Sequence, residues 1–270
     1  MTAALDKASE RRVCGVLDVP RSTLAADKAV DSPGAAAPPP REKVNEALAA
    51  QLRSLIEAYP TFGYRRLWAM LRRKYGLLVN RKTVYRILKV KGWFCHQRVA
   101  TPRPRAKAMR SRTEASNTRW AMDVTHIPCG DDGWGHLAVV IDCHDREVIG
   151  HEFALRGRAK EAERALEEAC LQRFGTLRPQ GATPTVRSDN GLIFQSRRFR
   201  AACRDYRLSQ EFVTPYTPEQ NGLIERFFRS LKEECTWQHN FPDYETAKRT
   251  VTGWIDWYNS ERPHKALRYL

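Results

Sequence analysis

The sequence predicts a mixed α/β protein in which a small, basic, helical helix-turn-helix domain precedes a sheet with flanking helices. Two observations predict this fold class. From Trp120 onward, strand-like and helical segments follow one another in the order βββαβαβαα, which is typical of a sheet covered by helices. Before Trp120, the apolar residues recur at helical spacing, and most of the excess positive charge lies there.

The distribution of charge indicates a polyanionic partner. The chain has 270 residues, enough for one or two domains, and a formal net charge of +15. Residues 53–119 hold 18 lysines and arginines against two acids, whereas residues 120–270 hold 21 against 22. A merely solvated surface would spread its charge more evenly, so this segment favours contact with nucleic acid.

Cysteine usage and hydropathy predict a cytoplasmic protein without a membrane partner. The seven cysteines are widely spaced, odd in number and without a C-x-x-C pair, which is typical of a reduced compartment. The first residues lack the apolar core of a signal peptide. The longest aliphatic run, Leu137–Ile141, is far too short to span a bilayer, which needs about 20 residues.

Composition divides the part of the chain before the sheet into three segments. Residues 1–41 form a leader, in which 9–24 could fold as part of a helix-turn-helix or stay disordered, and 31–41 are a Pro/Ala linker. Residues 42–97 are the predicted helix-turn-helix domain. Residues 98–119 are rich in Arg, Pro and Ser, which predicts an extended basic tether.

The helix-turn-helix prediction depends on a glycine-containing turn between two basic helices. Helices are predicted over 42–58 and 63–75, with Asn80 capping a third helix over 81–91. The side chains expected to contact DNA lie on this third helix, namely Arg81, Lys82, Tyr85, Arg86 and Lys89. Arg103 and Arg105 of the tether could follow a phosphate backbone. The alternatives are a basic hairpin that packs only on its own protein, and a plain linker.

Residues 120–270 are predicted to form the sheet and its covering helices. The β-type runs cover 120–128, 136–142, 147–155, 183–188 and 210–213, and helical patterns cover 159–174, 194–206, a segment from Gly222 and 244–259.

Three acidic residues in this region are candidates for one shared site. Asp123 lies in the first strand and Asp189 in an Asp-Asn-Gly turn after the fourth. Glu225 lies one turn into the helix that Asn221 is expected to cap, and bulky apolar residues flank it. Three carboxylates that converged would raise one another's pKa values unless cations lay between them. Two Mg²⁺ ions, which prefer carboxylate oxygens, would relieve this repulsion and could clamp a phosphodiester during displacement.

The spacing of these residues resembles a known family. Thirty-five residues separate Asp189 from Glu225, and Lys232 follows seven residues later. The surrounding runs WAMDVT (120–125), SDNG (188–191), YTPEQNG (216–222) and YNSERPH (258–264) agree with this pattern. From about Tyr64 to Leu270, the chain resembles the catalytic subunit of an insertion-sequence transposase of the IS-three type, in the retroviral-integrase-like DDE superfamily.

The resemblance implies both a fold and an activity. The fold would be an RNase H-like integrase catalytic core, a mixed five-stranded sheet whose first and fourth strands are adjacent. Asp123 would bridge two Mg²⁺ (or Mn²⁺) ions, Asp189 and Glu225 would each bind one, and Lys232 would hold the DNA end. The implied reactions are cleavage at the ends of the element and transfer of its 3′-hydroxyl into target DNA.

The implied partners are the element's terminal repeats, target DNA, further copies of the chain and an upstream helix-turn-helix subunit. The resemblance also implies a bacterial cytoplasmic protein associated with the nucleoid.

Each candidate residue has a plainer interpretation. Asp123 could cap a strand end, Asp189 could serve only its turn, and Glu225 could pair with Arg229 on the surface. Lys232 could simply be solvated. Asp142 also ends a strand, but it lies outside the family's triad and is interpreted as structural. Two other functions stay open, namely an inactive DNA-binding regulator or transposase remnant, and a structure-selective nuclease of the same fold.

Overall fold

The structure is a computed structural model that describes residues 44–95, 113–214 and 220–269. The predicted leader and most of the predicted tether, including Arg103 and Arg105, lie outside the described residues. Residues Ala47–Leu270 form one compact unit, which contains the remaining elements. None of the described helices is both long enough and apolar enough to cross a membrane.

The helical domain forms as predicted, with a later start. Its helices are α1 (Glu46–Ala58), α2 (Tyr64–Tyr75) and α3 (Arg81–Lys91). Asn80 caps α3, because its side chain accepts a hydrogen bond from the backbone N–H of Lys82 at 2.9 Å. The predicted first helix began at Glu42, but the described helix begins at Glu46. The small core of the domain is fully buried and includes Leu52, Leu55, Leu67, Leu71, Val84, Ile87 and Leu88.

Five strands form one mixed sheet in the order β3-β2-β1-β4-β5. They are β1 (Arg119–Pro128), β2 (Trp134–Asp142), β3 (Val148–Ala154), β4 (Thr185–Ser188) and β5 (Ser209–Phe212). The first three strands pair antiparallel, whereas β4 pairs parallel with both β1 and β5. The predicted five-stranded sheet and the expected adjacency of the first and fourth strands are therefore confirmed.

Helices cover both faces of this sheet. They are α4 (Ala159–Phe174), α5 (Leu192–Gln195), α6 (Arg197–Asp205), α7 (Gly222–Glu234) and α8 (Tyr244–Ser260). Helices α4, α5 and α6 pack on one face, against Trp120 and Met122 of β1. Helices α7 and α8 pack on the other face, against Ala121 and Ile127 of the same strand. Alternate residues of β1 thus face opposite helical layers, as the pleat of a strand requires.

The single helix predicted over 194–206 is wrong, because the chain breaks at Ser196. This residue is extended, with φ −60° and ψ 149°. Its hydroxyl accepts a hydrogen bond from the backbone N–H of Phe199 at 3.2 Å, which caps a new helix, α6. The break re-orients the chain after α5, so the residues that follow begin a separate helical face.

The helical domain packs on the catalytic layer through a buried ion network. Glu234, at the end of α7, accepts two hydrogen bonds from Arg262 at 2.7 Å each and one from Arg66 of α2 at 3.0 Å. The side chains of Glu234 and Arg262 are only 7% and 4% exposed. Beside them, the ring of Trp257 stacks on Tyr59, with ring centroids 5.4 Å apart. Helix α7 is thereby fixed to the helical domain at its carboxyl end.

We predict that Glu234→Gln lowers the free energy of unfolding by about 3 kcal/mol, because it leaves two arginines packed together without a counter-charge. Urea unfolding of the full chain, followed by tryptophan fluorescence, measures this. The matched control is Glu233→Gln, because Glu233 pairs only with the exposed Arg229 one turn earlier. The control should change the free energy by less than about 0.5 kcal/mol. Equal effects in the two variants would contradict the assigned role of the network.

Candidate active site

The parallel pairing of β1 with β4 places two acidic residues side by side. The last pair in this ladder is Ala121 with Arg187. Two residues further along each chain stand Asp123 and Asp189, and the spacing between neighbouring strands is about 4.8 Å. Ala121 packs toward α7, and Asp123 lies two residues later on the same face of the sheet. Two carboxylates therefore meet at the edge of the sheet where β4 ends.

Helix α7 brings Glu225 and Lys232 to this same face. The helix packs on the sheet through five buried side chains, Leu223, Ile224, Phe227, Phe228 and Leu231. Between them, Glu225 is exposed and Lys232 is partly buried. Glu225 and Lys232 are seven residues apart, so they project from one side of the helix, two turns from each other.

The electrostatics of Asp123 show that these four groups act on one another. Burial raises the pKa of Asp123 to about 7, and the negative charges of Asp189 and Glu225 raise it further. Two effects oppose this rise, namely a hydrogen bond from the backbone N–H of Val124 at 2.8 Å and the positive charge of Lys232. The sequence prediction that these residues converge on one region of the fold agrees with this coupling.

The donor set suits a hard divalent cation, but the carboxylates are not yet gathered around one point. Carboxylate oxygens are the ligands that Mg²⁺ prefers, and a cation would offset the repulsion that raises the pKa of Asp123. Over residues 44–95, 113–214 and 220–269, no three His, Cys, Asp or Glu side chains are grouped tightly enough to hold a metal ion. All three carboxylates must therefore come closer together before they can share a cation.

Arg187 fixes the start of α7 to the sheet beside Asp189. Its guanidinium is only 7% exposed and donates to both oxygens of Glu211, at 2.9 and 3.2 Å. The same group also donates to the backbone carbonyl of Gln220 at 3.1 Å. Gln220 in turn holds the far end of its loop, because its side-chain oxygen accepts a hydrogen bond from the N–H of Thr214 at 2.9 Å. The sequence analysis missed this network, because no motif marks a buried arginine.

The predicted capping role of Asn221 is wrong. Its side chain makes no capping hydrogen bond, and the buried Oδ1 atom has no partner among the described residues. The physical reason is its backbone conformation, φ −103° and ψ 4°, which is not the extended conformation that a capping side chain needs. The backbone carbonyl of Asn221 still accepts the first helical hydrogen bond, from the N–H of Glu225 at 3.2 Å.

Asp142 has the structural role that was expected. It is fully buried and accepts hydrogen bonds from the backbone N–H groups of Asn117, His144 and Asp145, at 2.8, 2.7 and 3.2 Å. These contacts organise the turn between β2 and β3, so this carboxylate is occupied by its own backbone.

The predicted DNA-contact residues of the helical domain lie on the exposed side of α3. The buried side of this helix consists of Val84, Ile87 and Leu88. The other side exposes the five predicted residues, Arg81, Lys82, Tyr85, Arg86 and Lys89. Tyr85 also packs edge-on against Tyr64, with ring centroids 5.2 Å apart, so its ring is held in place.

Comparison with protein families agrees with this arrangement. Two models, both described as an integrase core domain, match residues 113–218 and 206–270. A model described as an HTH-like domain matches residues 43–101. The three models together follow the division into a helical domain and a sheet-bearing domain.

Curated relatives are transposases. The chain is 29% identical over 225 residues to transposase InsD for insertion element IS2A/D/F/H/I/K of Escherichia coli, which covers 81% of this chain and 74% of the relative. Transposase InsD for insertion element IS2D of Escherichia coli (strain K12) matches to the same extent.

Two solved structures also share part of the fold. The first is the simian T-cell lymphotropic virus intasome in complex with PP2A regulatory subunit B56 gamma. It is 21% identical with a TM-score of 0.49, and the match covers 80% of this chain and 70% of that one. The second is the HTLV-2 integrase catalytic core domain in complex with magnesium (dimeric form). It is 20% identical with a TM-score of 0.44, and covers 57% and 94%. Likeness at this level carries no inference about the site.

We predict that Arg187→Lys loosens the start of α7, because one ammonium group cannot reach both Glu211 and the carbonyl of Gln220. A lost charge-assisted hydrogen bond contributes roughly 1.4 kcal/mol, so amide hydrogen exchange in the first turn of α7 should speed up about tenfold. Amides in the middle of α4 provide the internal reference. Unchanged exchange at the start of α7 would mean that Arg187 does not hold this helix.

The raised pKa of Asp123 predicts a pH dependence in the metal-free protein. Between about pH 4 and pH 7 the folded chain keeps a proton at Asp123 that the unfolded chain has lost, so stability falls as the pH rises. Asp123→Asn cannot lose this proton. In EDTA, the variant should therefore gain at least about 1 kcal/mol over the wild type between pH 4 and pH 8. Parallel stability curves for the two proteins would contradict the coupling described here.

Proposed function

Because the chain belongs to the DDE transposase and integrase superfamily, as the integrase core domain matches over residues 113–270 show, we propose that it cuts the ends of an insertion sequence and joins them to target DNA. The chain is a DDE-type enzyme acting in DNA transposition, and its helical domain is HTH-like. The finer proposal rests on one observation, the electrostatic convergence of Asp189, Glu225 and Lys232 on Asp123.

The three carboxylates are proposed to hold two Mg²⁺ ions, or Mn²⁺ in their place. Asp123 lies between the other two in its electrostatic environment, which suits a carboxylate shared by both ions. When bound, such a pair lowers the pKa of the attacking oxygen and stabilises charge on the phosphodiester. The β1–β4 ladder supplies two of the ligands, and the movable element is the start of α7, which carries the third.

Lys232 is proposed to contact the DNA end. Its ammonium group is near enough to Asp123 to lower the pKa of that carboxyl, so it lies beside the reacting centre. A phosphate bound at Lys232 would lie next to the three carboxylates, within the same face of α7. The exposed basic side of α3 would hold duplex DNA further from the site.

The proposed reactions are two phosphodiester displacements. In the first, water attacks a phosphodiester at the element's end, the bond to the 3′-oxygen breaks, and a free 3′-hydroxyl results. In the second, this hydroxyl attacks a phosphodiester of the target, so that one phosphorus–oxygen bond forms as another breaks. Neither step needs a covalent link between protein and DNA. The proposed partners are thus the element's ends, target DNA and further copies of the chain.

One observation favours a second candidate, an inactive DNA-binding regulator or transposase remnant. No three acidic, histidine or cysteine side chains of the described residues are grouped tightly enough to hold a metal ion. In that case the exposed face of α3 would bind DNA, and the carboxylates would have no catalytic role.

We predict that Asp189→Asn lowers both cleavage and strand transfer at least about 100-fold while binding of the element's ends stays within about twofold. The assay uses the full chain, Mg²⁺, labelled duplexes from the ends of the element and a target plasmid. Asp256→Asn is the matched control, because Asp256 is exposed on α8, away from the site.

The outcomes separate the candidate functions. Full activity in the Asp189→Asn protein would refute the proposed site. A folded wild-type chain that binds the ends without cutting them, in Mg²⁺ or Mn²⁺, would favour the regulator. Cutting of branched DNA without joining would instead indicate a structure-selective nuclease.

A further inference from the structure

Helix α6 presents a row of arginines that the proposed chemistry does not use. Residues 120–270 carry balanced charge, 21 basic against 22 acidic, yet the short segment 197–207 carries five arginines and one acid. Three of the arginines, Arg197, Arg200 and Arg204, are exposed. This is a local excess of positive charge on an otherwise neutral domain.

The helical geometry places these three side chains on one side of α6. Their positions i, i+3 and i+7 fall within one stripe of a helix with 3.6 residues per turn. The buried side of α6, formed by Phe199, Ala202 and Cys203, packs on the sheet. Asp205, the helix's only acid, is one residue after Arg204 and therefore lies about 100° around the helix from it.

The arginines of this row differ from Arg198 in their partners. Arg198 pairs with Glu163 of α4, so its charge is neutralised within the protein. Arg197 and Arg204 have no side-chain partner among the described residues. Arg200 lies over the ring of Phe212, 5.9 Å from its centroid, a contact that fixes the arginine stem and leaves its charge available.

The row begins at the edge of the sheet that carries Asp189. The side chain of Gln195 donates to the backbone carbonyl of Asn190 at 2.6 Å, which ties the end of α5 to the residue after Asp189. Phe212, under Arg200, ends strand β5, and β5 runs parallel to β4. Both contacts place the first half of α6 beside the proposed active site.

We propose that Arg197, Arg200 and Arg204 bind the phosphate backbone of the target DNA duplex, an assignment that rests on the proposed function. Arginine forks match phosphate geometry, and contacts to phosphates carry no base information. A surface without sequence preference suits a target of arbitrary sequence better than a fixed terminal repeat. The helix-turn-helix face of α3 is the better candidate for the element's own ends.

The test compares the triple variant Arg197→Gln/Arg200→Gln/Arg204→Gln with the wild-type full chain in strand transfer from a pre-cut element end. The KM for target duplex should rise at least about tenfold, with kcat and cleavage of the element's end within about twofold of wild type. Arg198→Gln is the matched control on the same helix and should leave the KM for target unchanged. The thermal midpoint of each variant verifies that it is folded.

A binding measurement tests the same surface without chemistry. For an unrelated duplex, the slope of log K against log salt should be smaller in magnitude by up to about 2.7 in the triple variant, because three phosphate contacts are lost. A folded triple variant with wild-type KM and wild-type salt slope overturns the assignment. Loss of end cleavage together with strand transfer would also overturn it, because the row would then hold the element's end. If the wild type neither cuts nor joins but the salt slope falls, the proposed function fails and the DNA-binding surface stands.

Discussion

The parallel pairing of β1 with β4 is the constraint on which the site depends. Asp123 and Asp189 are 65 residues apart in the chain, and only this ladder places them side by side on one face. The cost is electrostatic, because burial and neighbouring charge raise the pKa of Asp123 to about 7. The fold therefore holds the two carboxylates where their repulsion must be offset by a proton or a cation.

The second requirement is a helix that delivers Glu225 to this pair, and the structure fixes that helix at both ends. At its start, Arg187 holds the carbonyl of Gln220. At its end, Glu234 is held by Arg262 and by Arg66 of the helical domain. Because Arg66 belongs to the DNA-binding domain, the orientation of α7 and the position of that domain depend on the same buried contact.

Much of this was predictable from the chain, because periodicity and spacing are local or family-wide signals. The bounds of α4 agree with the prediction to the residue, and the spacing from Asp189 to Glu225 pointed to the family. What failed was decided by backbone conformation, as at Ser196 and Asn221, where a break replaced a continuous helix and an expected cap did not form. The Arg187 network is long-range in sequence, so no pattern of neighbouring residues could indicate it.

The most direct test of the central claim is to locate the divalent ions themselves. Crystals of the full chain soaked in Mn²⁺ should show anomalous scattering peaks within about 2.2 Å of carboxylate oxygens of Asp123, Asp189 and Glu225. One peak should contact Asp123 together with each of the other two residues. Saturating Mn²⁺ that leaves these oxygens without a peak, or that binds only elsewhere on the protein, would contradict the account.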